Sequence, residues 1–400
     1  MFGQENMQIG SAVIKVMGVG GGGCNAVNNM IKSNVSNAEF IAVNTDNQAL
    51  LLSKADTCLQ IGAKLTKGLG AGSNPNVGEQ AAEESKEAIA EVLKGTDLLF
   101  IAAGMGGGTG TGAASVIARI ARELGVLTVA VVTKPFSFEG KVRNENANKG
   151  VANLKKYVDT LVIIPNDKLL QFLPSNVGML DAFKVADDML KQGVVGIVDL
   201  IATSSLINLD FADVNTVMRN QGLAHMGIGR AKGENRVIES VRQAVSSPLL
   251  ETTIEGAKSV ILNVTGGKDL TLGEVNEAAV LVQGIIDSSA NIIFGATIDE
   301  GMVDEVKITV IATGFSPNNV VEDVSAKTSI LNPSKVEETL PLLRAIENKE
   351  KIAIEPQQNV TEVEETVTAK EEEKIEQIIE EPENKGKELP AFMRKLFGRK

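Results

Sequence analysis

Two glycine-dense runs are the residues of this chain best suited to chemistry. GVGGGGCN occupies residues 18–25 and GMGGGTGTG occupies residues 104–112. Bare glycines let a backbone approach an anion, and N–H groups at a helix start add donors and a positive dipole end. Gly18, Gly20 and Gly23 also satisfy the G-x-G-x-x-G pattern of dinucleotide sites, and Asp46 follows the second strand as that pattern wants. Taken alone, the first run supports an NAD-dependent oxidoreductase. The second run discriminates. Another anion cradle at another strand end is surplus for a pyrophosphate and suits a triphosphate held from two sides, with Thr109 and Thr111 adding hydroxyls. No G-x-x-x-x-G-K-[ST] run is present, so this is not an ordinary P-loop.

Such loops must be held at strand ends. Residues 12–17, 40–43, 98–103, 126–132 and 161–164 read as short buried strands, and residues 25–32, 79–93 and 113–124 as helices. Strands alternating with helices predict a doubly wound parallel sheet, which binds ligands at the carboxyl ends of its strands. Residues 179–202 carry Leu180, Phe183, Val185, Met189, Leu190, Val194, Ile197, Val198 and Ile201, dense enough for a helix buried on most sides. A helix of that kind joins two domains. A second α/β region follows, with strands near 222–229, 259–264, 291–296 and 306–312 and helices over 236–244 and 272–286.

Composition agrees. The chain has 400 residues, 43% of them hydrophobic, with 39 glycines, one Tyr and no Trp. A core so poor in aromatics is packed by Val, Ile, Leu and Ala, as in a parallel sheet covered on both faces. The net charge of -12 argues against nonspecific nucleic-acid binding. Two cysteines make neither a disulfide framework nor a four-ligand zinc site, so a reducing compartment is expected. The first eleven residues lack the apolar run of a signal peptide, and no apolar stretch approaches the ~20 residues of a spanning helix.

The character changes after about residue 318. Residues 361–390 hold eleven Glu against four Lys, too polar to offset chain entropy by burial, which predicts a disordered linker. The last ten residues, AFMRKLFGRK, carry four positive charges and put Phe392, Met393, Leu396 and Phe397 on one helical face. A short basic amphipathic tail on an acidic tether reads as a peptide ligand for a partner. The expected organisation is a flexible N-terminus (1–11), a nucleotide domain (12–178), a central helix (179–202), a second domain (203–318), the linker (319–388) and the tail (389–400).

GGGTGTG preceded by Gly104 and Met105 resembles the signature of the tubulin/FtsZ family of GTPases. FIAVNTDNQAL, KGLGAG, TKPFSFEG, GVVGIVDLI and NLDFADV are similar to its bacterial cell-division branch, without a break over residues 12–317, and the tail LPAFMRKL is similar to that branch's C-terminal peptide. The resemblance implies GTP or GDP as ligand, with Mg2+. It implies that Gly21, Gly22, Gly23, Cys24, Asn25, Gly108, Thr109 and Gly110 hold the phosphates, and that Ala71, Gly72 and Ser73 lie near the γ-phosphate. Glu139 and Arg143 would contact the ribose and phosphate side, their i, i+4 spacing placing both on one helix face. Asn166 would meet the ribose or base, Phe183 would stack on guanine, and Asp187 would accept from its N1–H and amine. Asn208, Asp210 and Asp213 would reach the nucleotide of a neighbouring subunit, where Asp210 and Asp213 would polarise the attacking water and help organise the cation around the γ-phosphate. Read unaided, two acids at a helix start are dipole partners.

The further implication is a head-to-tail homopolymer of the cytokinetic ring, cytoplasmic and gathered at mid-cell. Membrane contact would be indirect, through adaptors and regulators bound by the tail. A scaffold that has lost catalysis is the alternative, and the presence of all three loop residues speaks against it. His225, the only histidine, is expected to be structural. Cys24 could have a lowered pKa at a helix start, with a packing role the stronger expectation.

Overall fold

The computed structural model describes residues 12–315, apart from 34, 36, 171–172, 174–176, 203–209, 247–253, 255 and 288. The N-terminus, the linker, the tail and Asn208 therefore lie outside the described residues.

The chain opens β1 (Ile14–Val19), α1 (Gly20–Lys32), β2 (Glu39–Asn44), α2 (Asn47–Leu51), β3 (Thr57–Gln60) and α3 (Ala63–Thr66). It continues α4 (Pro75–Glu84), α5 (Lys86–Leu93), β4 (Leu98–Gly104), α6 (Thr109–Glu123), β5 (Leu127–Lys134), α7 (Lys141–Leu154), β6 (Thr160–Pro165) and α8 (Asn166–Leu170). The helix α9 (Met179–Ala202) leads to α10 (Phe211–Met218), β7 (Gly222–Lys232), α11 (Arg236–Val245), β8 (Ser259–Gly266), α12 (Leu272–Gln283), β9 (Asn291–Ile298) and β10 (Glu305–Thr313).

Among the described residues, ten strands form one sheet, ordered β3-β2-β1-β4-β5-β6-β7-β10-β8-β9. Its first six strands are parallel and follow the 3-2-1-4-5-6 order of a doubly wound fold. The two halves are joined through β7, which pairs parallel with β6 and antiparallel with β10. Every residue of β1 is buried, the pattern of a strand covered on both faces. Alternation then sorts neighbours: Val16 and Phe100 face one core with α1, α9 and α10, while Met17 and Ile101 face another with α4, α5, α6 and α7. A third core lies under α11 and α12.

The expected α/β architecture is present, with three local differences. The helix expected over 79–93 is two, α4 and α5, meeting at Ser85, and α4 starts earlier because Asn74 caps it ahead of Pro75. The short β3 and α3 carried no periodicity long enough to read. In α9, Leu180 is 78% exposed, unlike the buried Val185, Leu190, Val194, Ile197 and Val198 of the same apolar pattern. Phe183 of α9 packs on Phe136, just beyond the end of β5, and Gly193 lies against Val131, halfway back along it. The helix therefore runs antiparallel to β5. Its 24 residues span about 36 Å, from the carboxyl edge of the sheet to the opposite edge.

Candidate nucleotide-binding site

Strands β1 and β4 are neighbours, and the chain order reverses between them. That is the topological switch point, where an open α/β sheet leaves a crevice. Both glycine runs leave the sheet there, and each opens a long helix with no side-chain cap on its first turn. The first N–H groups of α1 and α6 are thus left for a ligand. Gly20 has φ +71°, and a Cβ on it would sit 2.7 Å from the nitrogen of Gly110, so the two runs touch there. A Cβ on Gly21 would meet nothing within 4 Å, and the same holds for Gly72 and Gly107. One set of glycines lets the loops close on each other, and a second set faces open space that an anion can fill.

The third loop, residues 67–73, covers the second. Ala71 is buried, and a Cβ on Gly108 would meet the Cβ of Ala71 at 2.8 Å. Lys67, Gly68, Gly70, Gly72 and Ser73 all have positive φ. Lys67 and Ser73 hold that conformation at a steric cost.

The hydroxyls of the second run also make contacts within the fold. Thr111 Oγ1 accepts from Gly106 N at 2.8 Å and so braces its own loop. Thr109 Oγ1 lies 2.7 Å from Thr45 Oγ1. Cys24 is buried among Ala42 and Leu50, and burial pushes its thiol up to about 12, the reverse of activation. Asn25 is exposed beside Gly21 and Gly22. Asp46 caps α2, accepting from Gln48 N and Ala49 N at 2.9 and 3.4 Å. That carboxylate is occupied, which argues against its expected role on a dinucleotide ribose.

At the other end of the crevice, Glu139 and Arg143 form an ion pair at 2.9 Å. They do not share one helix as expected. Gly140, at φ +102°, separates the 3-10 turn Ser137–Glu139 from α7, and the turn brings the carboxylate back to Arg143. Glu139 also accepts from Phe136 N at 2.8 Å. Asn166 is buried at the end of β6, and its Oδ1 has no hydrogen-bond partner. Phe183 lies edge-on to Phe136 and Phe138, with centroids 5.4 and 6.3 Å away. Asp187 follows one turn later on the same face of α9. Burial, aided by the charge of Asp188, raises its carboxyl to about 7. Asp188 itself is paired with Lys191 and accepts from Gln192 at 2.7 Å. Asn166 Oδ1 is thus a buried acceptor without a donor, and the half-buried Asp187 carboxyl is a second acceptor; a guanine edge carries donors for both.

Asp210 and Asp213 lie elsewhere. They form a reciprocal capping box on α10: Asp213 N donates to Asp210 Oδ1 at 2.8 Å, and Asp210 N to Asp213 Oδ2 at 3.3 Å. The far end of this helix is tied to the first residue of β6, where Thr160 donates to the carbonyl of Met218. The helix that carries the acids is therefore anchored, at its far end, on the edge of the sheet opposite the glycine runs. Sequence reasoning missed Thr45 and Asn44, whose Oδ1 accepts from Thr45 N at 2.9 Å. They close β2 at the rim of the crevice, and the polar run after an apolar strand was the available signal. Among the described residues no cluster of three or more His, Cys, Asp or Glu could hold a metal ion. His225 is buried in β7, against the ring of Phe315 at 4.6 Å.

Residues 13–174 match the model of the tubulin/FtsZ family GTPase domain, and residues 222–316 match the FtsZ family C-terminal domain. Among solved structures, an FtsZ dimer from M. jannaschii is 45% identical over 80% of this chain and 96% of its own, with a TM-score of 0.74. A point mutant of FtsZ from the same organism is 48% identical over 76% and 92%, with a TM-score of 0.73. A GTPγS-bound protofilament of CetZ2 from Haloferax volcanii shares the fold at 20% identity, covering 84% of this chain and 99% of its own, with a TM-score of 0.68. With both domain models matched in order and more than nine-tenths of each FtsZ chain covered, the chain belongs to the tubulin/FtsZ family of GTPases.

Proposed function

We propose that this GTPase assembles head to tail, and that each subunit completes hydrolysis in its neighbour's crevice. One observation supports the reading: the glycine runs leave one edge of the sheet, and the helix that carries the acid pair is anchored on the other. Glycine and threonine loops donate hydrogen bonds but carry no group that orients a water. Phosphoryl transfer needs an oriented water and charge neutralisation as well as a cradle. Gly21, Gly22, Gly23, Asn25, Gly108 and Gly110 would hold phosphates, with Ala71, Gly72 and Ser73 over the terminal one. Phe183, Asn166 and Asp187 would select guanine, and Arg143, held by Glu139, would face the ribose and phosphates. Asp210 and Asp213 would orient the water in the next subunit, with Asn208 beside them. Mg2+ would supply charge neutralisation. Asp210 and Asp213 of the neighbouring subunit would help to organise the cation around the terminal phosphate.

A contact between unlike edges does not close on itself and so builds filaments. The FtsZ relative was solved as a dimer and the CetZ2 relative as a protofilament, which supports the same arrangement here. The test is the rate of phosphate release from GTP against protein concentration. A threshold followed by a rise is expected, and strict proportionality from the lowest concentration would sink the reading.

The cellular role proposed is the bacterial cytokinetic ring, in the cytoplasm at mid-cell, with the tail 389–400 binding membrane-held adaptors. No described helix is long and apolar enough to cross a membrane. Removing residues 389–400 should leave phosphate release unchanged and abolish mid-cell recruitment. A truncated chain that still gathers at mid-cell would dismiss the tail's role.

A further inference from the structure

We propose that Thr45 is a positioning residue that couples a terminal phosphate bound at Thr109 to the 67–73 loop. The inference rests on the GTP reading above. Thr45 follows β2 and is fully buried. Its hydroxyl lies 2.7 Å from the hydroxyl of Thr109, the first residue of α6. Its carbonyl accepts from Gly70 N and from Thr66 Oγ1, each at 3.3 Å. One residue therefore has its side chain on the second glycine run and its backbone on the third loop.

The two hydroxyls hold two protons and share one hydrogen bond, so one O–H is left for a third acceptor. A phosphate oxygen beside Thr109 settles the direction. Thr109 donates to the phosphate, and Thr45 then donates to Thr109. A chain of hydroxyls oriented in this way strengthens along its length. A diphosphate that leaves this place empty imposes no such order.

The loop at the other end is suited to respond. Five of its seven residues have positive φ, including Lys67 and Ser73, which gain nothing from that conformation. Its attachments are few. Gly70 N to the Thr45 carbonyl and Asn47 N to the Gly68 carbonyl, at 3.1 Å, make up the bridge between Asp46 and Leu69, and the other bonds of the loop's first residues run back to Ala63 and Thr66. Ala71 presses on Gly108, so a shift of the loop is felt at the phosphate run.

The experiment uses the full chain and two variants. Thr45→Val keeps the shape and removes the hydroxyl, and Thr45→Ser keeps the hydroxyl. Binding of GDP and of a GTP analogue with a non-hydrolysable β–γ bridge is measured, with the rate of tryptic cleavage after the exposed Lys67 in each state. The unaltered chain should show cleavage rates that differ several-fold between the two ligands. Thr45→Val should abolish that difference and weaken the analogue about fivefold to tenfold, with GDP affinity within about twofold, and Thr45→Ser should restore both. A Thr45→Val chain that keeps the ligand-dependent cleavage overturns the proposal. So does one that loses GDP and analogue equally, or an unaltered chain whose cleavage ignores the ligand. If the unaltered chain binds neither nucleotide, the GTP reading itself has failed.

Discussion

Asp187 shows how a single position trades stability for recognition. Its carboxyl is raised by burial to about 7, far above its ordinary 3.8. A group raised in this way favours the fold below its unfolded value, and that contribution is lost as pH climbs through 7. Without nucleotide, the ionised form therefore weakens the protein at pH 8. Asp187→Asn should raise the melting temperature of the nucleotide-free protein, more at pH 8 than at pH 5. The same change should weaken guanine nucleotide by at least about thirtyfold, since two charge-assisted bonds are lost. For the unaltered chain, affinity should rise about tenfold from pH 6 to pH 8 as the acceptor ionises. Titration calorimetry at both pH values checks this, and flat affinity would show that Asp187 does not meet the base.

Two adjacent glycines should part company in the same way. Gly20→Ala meets Gly110 at 2.7 Å with φ at +71°, so it should cost about 2 kcal/mol or more of folding stability. Gly21→Ala meets no atom of the protein. It should melt like the parent and yet bind nucleotide more weakly, because its methyl stands where a phosphate would lie. Denaturation curves and nucleotide titrations on the two variants separate a loop-closing glycine from a ligand-facing one.

Among elements, Arg236 ties several together through charge. Its side chain, 8% exposed, pairs with Asp269, with Glu274 at 2.6 Å and with Asp304 at 3.6 Å. It thereby joins the start of α11 to the capping box of α12 and to the turn before β10. Arg236→Met would keep the aliphatic stem and leave the acids unpaired, and urea unfolding should show a loss of stability. The guanidinium also holds the Glu274 carboxyl below its usual range. That stabilisation is present above about pH 4.5 and is lost as pH falls. The parent should therefore lose melting temperature on acidification more steeply than Arg236→Met.

The capping box of α10 needs the same care in any test of catalysis. Asn caps a helix about as well as Asp. Asp210→Asn and Asp213→Asn should therefore keep α10 and its packing, whereas alanine would confound a lost cap with lost chemistry. Under the proposed mechanism each Asn variant should bind GTP like the parent and release phosphate at least about a hundredfold more slowly.

At the scale of the whole molecule, the continuous sheet makes the arrangement testable by mixing. A subunit with Asp213→Asn keeps an intact crevice, and one with Asp187→Asn keeps intact acids. Mixed equally in filaments that co-sediment, they should recover up to about a quarter of parental turnover, the share of junctions that pair an intact crevice with intact acids. Co-sedimenting filaments with no recovery would mean that the two defects lie in one subunit's own site.

Much of this protein could be read along the chain. Buried strands such as β1 and β4 appear as unbroken apolar runs, because a parallel sheet covered on both faces leaves no polar alternation. The glycine runs announced an anion site, because helix starts without side chains have few other uses. The central helix showed in its density of apolar positions. Where hydrogen bonds close over long separations, the chain was silent. Whether Thr109 would offer its hydroxyl to a ligand or to Thr45 depends on a partner 64 residues away. Asp46 matched a ribose-binding pattern until the fold turned it onto its own helix. Glu139 and Arg143 kept their pairing through a break at Gly140 that helical spacing does not foresee. Spacing along a chain determines what a residue can do with neighbours one turn away, whereas packing of distant segments decides which groups are left free. For that reason the chemistry was legible as a class, and the meeting of the two glycine runs at one switch point of the sheet was decided only by the tertiary structure.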